Sequence, residues 1–571
     1  MTAIRVWGPN LARPRLRADD RDTDLERGDG GWWTGPDLPP GTDYAFLLDD
    51  DPDPVPDPAS RWQPYGVHGP SRVYDQNAYP WRDAGWTGRD LAAAVIYELH
   101  VGTFTPGATF DAAAERLDHL VDLGITHVEL LPVNDFNGVW NWGYDGVLWY
   151  AVHEAYGGPD GLKRFVDAAH DKGLAVVLDV VYNHLGPSGN HLPRFGPYLK
   201  SGRNTWGDLL NVEEPNVRRF IIDNALMWLR DYHVDALRLD AVHALLDTSP
   251  THILAELSAD TDDLATKVGR PLPLIAESDL NDPIMITPRK LGGYGLAAQW
   301  DDDVHHALHA TLTGERQGYY CDFGPLHVLA KVLTGAFFHD GTYSSFRGRN
   351  HGKPIDPGRQ LGWQFVVCLQ NHDQVGNRAV GDRLPELTTP ERLRIGAVLL
   401  LTSPFTPMLW MGEEWAAATR WPFFTSHPEP ELAEATGKGR LAEFADHGWD
   451  TSEMIDPQDP AAYHEAVLDW SEPAEPEPAA MLDFYRRVLA LRAVEADLRD
   501  PHLDRVRVDF DDDAGWLVVH RGRFRVGVNL AGTDQRLPVT GGEVVLGTGG
   551  PATPGTDGLT LGPETAAIVR V

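Results

Sequence analysis

Cysteine is nearly absent from this chain. The two that occur in 571 residues, Cys321 and Cys368, are too few for a disulfide framework. They also lack the close spacing of a zinc or redox motif, so a reducing compartment is expected. No run of about 18 apolar residues occurs, and the opening "MTAIRVWGPN" has no basic region followed by an apolar core. These absences predict a cytoplasmic protein that neither enters nor crosses a membrane. Basic residues are also scarce: 49 Lys and Arg face 84 Asp and Glu, a formal net charge of -35. Such a surface repels nucleic acid and anionic lipid and favours a neutral or cationic ligand. The nucleophile-elbow pattern G-x-S-x-G is missing, which leaves a serine hydrolase of that type without support.

What the chain does contain is length and aromatic surface. At 571 residues, with 42% apolar and 23% charged side chains, it is expected to fold into two or three domains with real cores. It carries 19 Trp, 17 Tyr and 19 Phe. Most aromatics in any protein are core, but flat rings also cover the C–H faces of sugars.

Three textures follow one another. Residues 1–90 show short alternating segments such as "AIRVWG" and "DYAFLL", and a loop containing "DDDPDPVPDPAS". They predict an N-terminal β-sandwich. The acidic run lacks the central glycine and final glutamate of a calcium-binding hand. Residues 91–490 hold eight apolar runs: "AVIYELHVG", "THVELLPV", "LAVVLDVVYNH", "VDALRLDAV", "LPLIAESD", "GLAAQWDDD", "QFVVCLQNHD" and "TPMLWMGEE". Amphipathic stretches such as "GLKRFVDAAHDKG" lie between several of them. Strand alternating with helix predicts an α/β fold, a closed (β/α)8 TIM barrel with loop insertions. A doubly wound open sheet is the alternative, but "HVGTFTPGATF" after the first run is not its glycine-rich turn. Residues 491–571 alternate again, as in "GWLVVHRGRFRVGVNLAG", and predict a C-terminal antiparallel β-domain.

Charges gather at the C-terminal ends of the barrel runs: Asp179, Asn183 and His184; Arg238 and Asp240; Glu277 and Asp279; Asn371, His372 and Asp373. In a parallel barrel these ends share one face, where active sites lie. The period of two puts Ala236, Arg238 and Asp240 on one side of their strand and Leu237 and Leu239 on the other. Arg238 is then expected to keep Asp240 ionised, while the apolar approach "LPLIA" desolvates Glu277 and raises its pKa. An ionised Asp beside a protonated Glu is the pair that splits a glycosidic bond, with the carboxyls about 5 to 5.5 Å apart in a retaining enzyme and about 6.5 to 9.5 Å in an inverting one. The competing interpretation is a structural ion-pair network at the barrel end. His305 and His309 have helical metal-ligand spacing, but "HHALH" lacks the glutamate of H-E-x-x-H. No metal and no cofactor are therefore expected.

"DVVYNH", "ALRLDAVHA", "IAESD" and "LQNHDQVGN" resemble the four ordered signature regions of the alpha-amylase superfamily of glycoside hydrolases. The resemblance implies Asp240 as nucleophile, Glu277 as general acid/base and Asp373 as transition-state stabiliser. It implies Arg238, His184 and His372 around the reacting glucose, with Tyr144 of "NWGYD" as the platform beneath it. Asp179 and Asn183 match positions that are more often structural. "PDPASRWQPYGVHGPSRVYD", "VIYELHVGTFTPGATF", "GLAAQWDDDVHHALHATLTGE" and "MGEEWAAATRWPFFTSH" further resemble the maltooligosyltrehalose trehalohydrolases. That family implies cleavage of the α-1,4 bond next to a terminal trehalose, with maltooligosyltrehalose and related α-glucans as the partners. His243 and Asp279 are expected on the leaving-group side, since each closely follows a catalytic position. A glycogen branching or debranching enzyme is the alternative within the superfamily. A non-catalytic carbohydrate-binding protein on this fold is the alternative outside it.

Overall fold

The structure is a computed structural model and describes residues 2–446 and 454–571. At its centre, eight parallel strands close on themselves: Ile96–Leu99, His127–Leu130, Ala175–Val180, Ala236–Leu239, Leu274–Ala276, Ala298–Trp300, Phe365–Cys368 and Thr406–Trp410. Each pairs with the next, and the last pairs with the first through Met408 and Ile96. The eight are the eight apolar runs, including the short sixth, and the open-sheet alternative falls with the closure of the ring.

The period of two explains why these segments are strands. Ile96, Val177, Ala236, Ile275, Ala298, Val366 and Met408 form one buried cluster, while Leu237, Leu239, Val176 and Leu178 belong to another. The first set lies inside the barrel and the second meets the surrounding helices, so most strands are apolar on both faces at their base; the second strand departs from this by turning His127 and Glu129 inward. Burying one Leu, Ile or Val side chain contributes about 1.5 to 3 kcal/mol.

The helices read from the same sequence logic. Pro215–Asp231 starts at Glu214, whose side chain accepts from the Asn216 N–H, with proline in the first turn. It buries Val217, Ile221, Ala225, Trp228 and Leu229 at helical spacing. Two insertions matter for the site because each carries an aromatic to the barrel mouth. Asn134–Asp135 pairs with Leu148–Val152 and brackets Tyr144. Leu199–Arg203 pairs with Asp208–Leu210 and brackets Trp206.

Before the barrel lie two antiparallel sheets of three and four strands. A Cβ on Gly35, in the first sheet, would fall 3.4 Å from Leu16 of the second, so the sheets meet face to face. After the barrel, the helix Pro476–Val494 leads into a five-stranded and a three-stranded antiparallel sheet. These enclose their own core of Val518, Leu537, Leu559, Leu561, Ala567 and Val569. Among the described residues no helix is long and apolar enough to cross a membrane.

Candidate active site

The charged run that begins at Arg238 ends up at the mouth of the barrel. Arg238 is the third residue of its strand and points inward, its guanidinium 4.3 Å above the Trp300 ring. With 1% of its side chain exposed, it is a buried cation that needs compensation. Three carboxyls supply it. Nη1 lies 2.8 Å from Asp179 Oδ2 and 2.7 Å from Asp240 Oδ1, and Nη2 lies 3.6 Å from Glu277 Oε2. Burial works against the charge, but these acids raise the arginine pKa well above its ordinary value.

Asp240 follows directly on the strand. Its two oxygens are held from opposite sides, Oδ1 by Arg238 and Oδ2 by Asn183 Nδ2 at 2.6 Å. The chain then turns sharply: Ala241 adopts φ 40° and ψ 50°, a left-handed conformation that costs a non-glycine residue about 1 to 3 kcal/mol. The turn aims the Ala241 N–H at Glu277 Oε2, 2.6 Å away. Burial pushes Glu277 up to about 8, with Arg238 opposing and the charges of Asp240, Asp302 and Asp373 reinforcing. The apolar approach in the sequence thus has the expected effect.

Asp373 sits in the short helix His372–Gly376, capped by Asn371, whose side chain accepts from the Asp373 and Gln374 N–H groups. Its side chain is 49% exposed and takes a hydrogen bond from Asn377 Nδ2 at 2.9 Å. The other five positions expected to meet substrate converge on the same place. Tyr144 stacks on His372 with ring centroids 5.2 Å apart. Its hydroxyl donates to Asp179 Oδ2 at 2.6 Å and stands 2.8 Å from His372 Nε2. His184 lies beside Trp206. His243 Nδ1 is 3.7 Å from Asp279 Oδ1, and Arg347 clamps the other Asp279 oxygen at 2.8 Å. Tyr144, His184, Asp240, His243, Glu277, Asp279, His372 and Asp373 line one open cleft of about 450 Å³, and Arg238 lies beneath it. Asp179 and Asn183 support the cleft from below through Arg238 and Asp240.

Several residues of the cleft were not singled out from the sequence. Asp302 lines it, and burial together with Asp373, Asp303 and Asp279 pushes its carboxyl up to about 7. In the sequence, "QWDDD" carries only the family resemblance, since nothing local separates Asp302 from the aspartates on either side. Trp142, Trp206, Phe423 and Asn377 also form its walls; they sit on loops, where no periodicity distinguishes a wall residue from any other aromatic or amide. Glu98, the penultimate residue of the first barrel strand, accepts from the His372 backbone N–H at 3.0 Å, with His372 Nδ1 at 2.6 Å. Burial disfavours a charged imidazole, but Glu98 outweighs it and His372 is raised. The same strand-end signal that pointed to Asp240 was available for Glu98. His305 and His309 turn to the Tyr320 hydroxyl and to Glu315 respectively.

A cleft with a buried arginine joining an aspartate to a proton-holding glutamate is equipped for acid/base cleavage of an acetal. The family model for the alpha amylase catalytic domain matches residues 102–195, and that for a domain of unknown function, DUF3459, matches residues 501–568. The malto-oligosyltrehalose trehalohydrolase of Arthrobacter ramosus is 55% identical, over 99% of this chain and 99% of its own. That of Rhizobium sp. (strain M-11) is 53% identical, over 99% and 97%. A solved structure described as a putative alpha amylase from Salmonella typhimurium superposes with a TM-score of 0.92 at 38% identity, covering 99% of this chain and 97% of that one. With likeness of this degree over its whole length, the chain belongs to the malto-oligosyltrehalose trehalohydrolase family of alpha-amylase-type glycoside hydrolases.

Proposed function

We propose that Asp240, Glu277 and Asp373 hydrolyse the α-1,4-glucosidic bond next to the terminal trehalose of maltooligosyltrehalose with retention of configuration. Glu277 gives its proton to the departing trehalose oxygen while Asp240 attacks the anomeric carbon, forming a glycosyl ester. Glu277, now a carboxylate, takes a proton from water, which attacks the same carbon and releases the maltooligosaccharide with Asp240 restored. Asp373, exposed toward the cleft, holds hydroxyls of the reacting glucose, and His184, His372 and Arg238 complete that subsite over the Tyr144 ring. His243 and Asp279 face the leaving trehalose. The observation that carries this reading is Arg238: one guanidinium positions Asp240 at 2.7 Å and reaches Glu277 at 3.6 Å, while burial raises Glu277 to about 8, so that Glu277 keeps the proton an acid must give.

The cytoplasm is the proposed setting, and the partner is the neutral glucan alone. Incubation of the protein with maltotriosyltrehalose, followed by chromatography, tests the reaction: maltotriose and trehalose are expected. Intact substrate together with new α-1,6 branches on amylose would overturn it.

A further inference from the structure

On the opposite, N-terminal face of the barrel, where the first two strands begin, lies a second cavity of about 390 Å³. We propose that this cavity is a binding site for phosphate or a phosphomonoester. Three guanidinium groups line it, Arg492 buried, Arg499 half-buried and Arg89 exposed at the rim beside Asp90, together with His127, which burial lowers to about 4 and leaves neutral.

Arg492 is 3% exposed, yet it faces no carboxylate: Nη1 and Nη2 donate to the carbonyl oxygens of Leu401, Ser403, Leu498 and Phe405, and its Nε has no partner. Those carbonyls explain why the side chain is buried but leave its charge uncompensated. Burial and the charges of Arg521 and Arg499 pull it down to about 9.

Arg499 adds a second guanidinium, with its Nε buried and no hydrogen bond or ion pair among the described residues. The nearby acids are already engaged: Glu495 with Arg523 and Arg570, Asp497 with Arg523, Asp500 with His502 and Arg505. His127 is 1% exposed, with Nδ1 2.8 Å from Thr126 Oγ1, and its burial keeps the ring neutral, so it adds no charge to the wall.

Arg492 is buried there without a counter-charge, which is costly, and the more exposed Arg499 and Arg89 stand at the same cavity with no carboxylate partner among the described residues, in a chain whose net charge is -35. Guanidinium forks match the oxygens of a tetrahedral oxyanion, and the space exceeds what a bare phosphate fills.

Equilibrium dialysis at pH 8 and constant ionic strength tests this, with labelled inorganic phosphate and labelled glucose 1-phosphate as separate probes and chloride as the balancing salt. Saturable binding of one anion per chain is expected, weakened about tenfold or more in Arg499→Gln and in Arg89→Gln. Both variants should keep wild-type basal hydrolysis, since neither residue lies near the cleft. Tighter binding of the ester identifies a sugar phosphate; binding of phosphate alone identifies the free ion. Absence of saturable binding of either probe, or unchanged affinity in both variants, overturns the proposal.

Discussion

At the scale of single residues, the site is governed by how one buried arginine divides its charge among three carboxyls. Replacing Asp240 by Asn keeps the shape of the side chain and one of its two accepted hydrogen bonds, from Arg238 or from Asn183, but removes the nucleophile. The expected loss in kcat is about three to five orders of magnitude, read with maltotriosyltrehalose, with little change in KM. Glu277 must be protonated to act as acid, and it is held near 8, so kcat/KM should fall as pH rises through that value. Since Asp302 helps push Glu277 up, Asp302→Asn should move this basic limb to lower pH; an unmoved limb would argue against that coupling. The same shift bears on stability. A carboxyl whose folded pKa lies above its unfolded value binds more protons when folded, so its cost is absent at low pH and grows as pH rises from about 4.5 to about 8. Glu277→Gln should therefore raise the melting temperature at pH 9 more than at pH 5 while abolishing turnover.

At the scale of elements, the site depends on strand ends and caps. Glu98 near the end of the first strand carries the charge that holds His372, whose Nε2 meets the Tyr144 hydroxyl. Glu98→Gln keeps the shape and removes the charge. A charge-assisted hydrogen bond is worth about 1.5 to 3 kcal/mol, so a loss of roughly 10- to 100-fold in kcat/KM is expected, together with a changed acidic limb of the pH profile. A protein merely destabilised by the change would lose active fraction without moving that limb. Asn371 caps the helix that presents Asp373. Asn371→Ala should lower both stability, by about 1 kcal/mol, and kcat, and Asn371→Asp, which can still cap, should recover most of the stability in a thermal melt.

At the scale of the whole molecule, the excess of acidic groups bears on solubility and fold stability more than on encounter with substrate. A neutral oligosaccharide feels no steering, so kcat/KM should change less than about twofold between low and 0.5 M salt, while the melting temperature rises as self-repulsion is screened. A steep salt dependence of kcat/KM would point to a charged substrate. The molecule also joins its parts through buried polar ties. Arg492, on the helix leading to the C-terminal sheets, donates to the backbone carbonyls of Leu401, Ser403 and Phe405 near the eighth barrel strand, and Arg392 pairs with Glu564 of the C-terminal region at 2.7 Å.

Much of this was legible in the chain alone. The eight barrel strands stand out because strands buried on both faces are uninterrupted apolar runs, and the polar residues that close each run are conspicuous against them. Arg238, Asp240, Glu277 and Asp373 could therefore be named from local pattern and resemblance, and periodicity placed Arg238 on the inner side of its strand. What only the tertiary structure decided is which groups share a charge. Asp179, 59 residues before Arg238, and Glu277, 39 after it, meet at one guanidinium because barrel closure brings successive strand ends to a common rim. The roles of Glu98 and Asp302 arise from the same convergence, and the cationic cavity on the far face comes from three segments distant in sequence. Local spacing fixes the face on which a side chain lies; its pKa and its partners depend on distances and burial that exist only once the ring has closed.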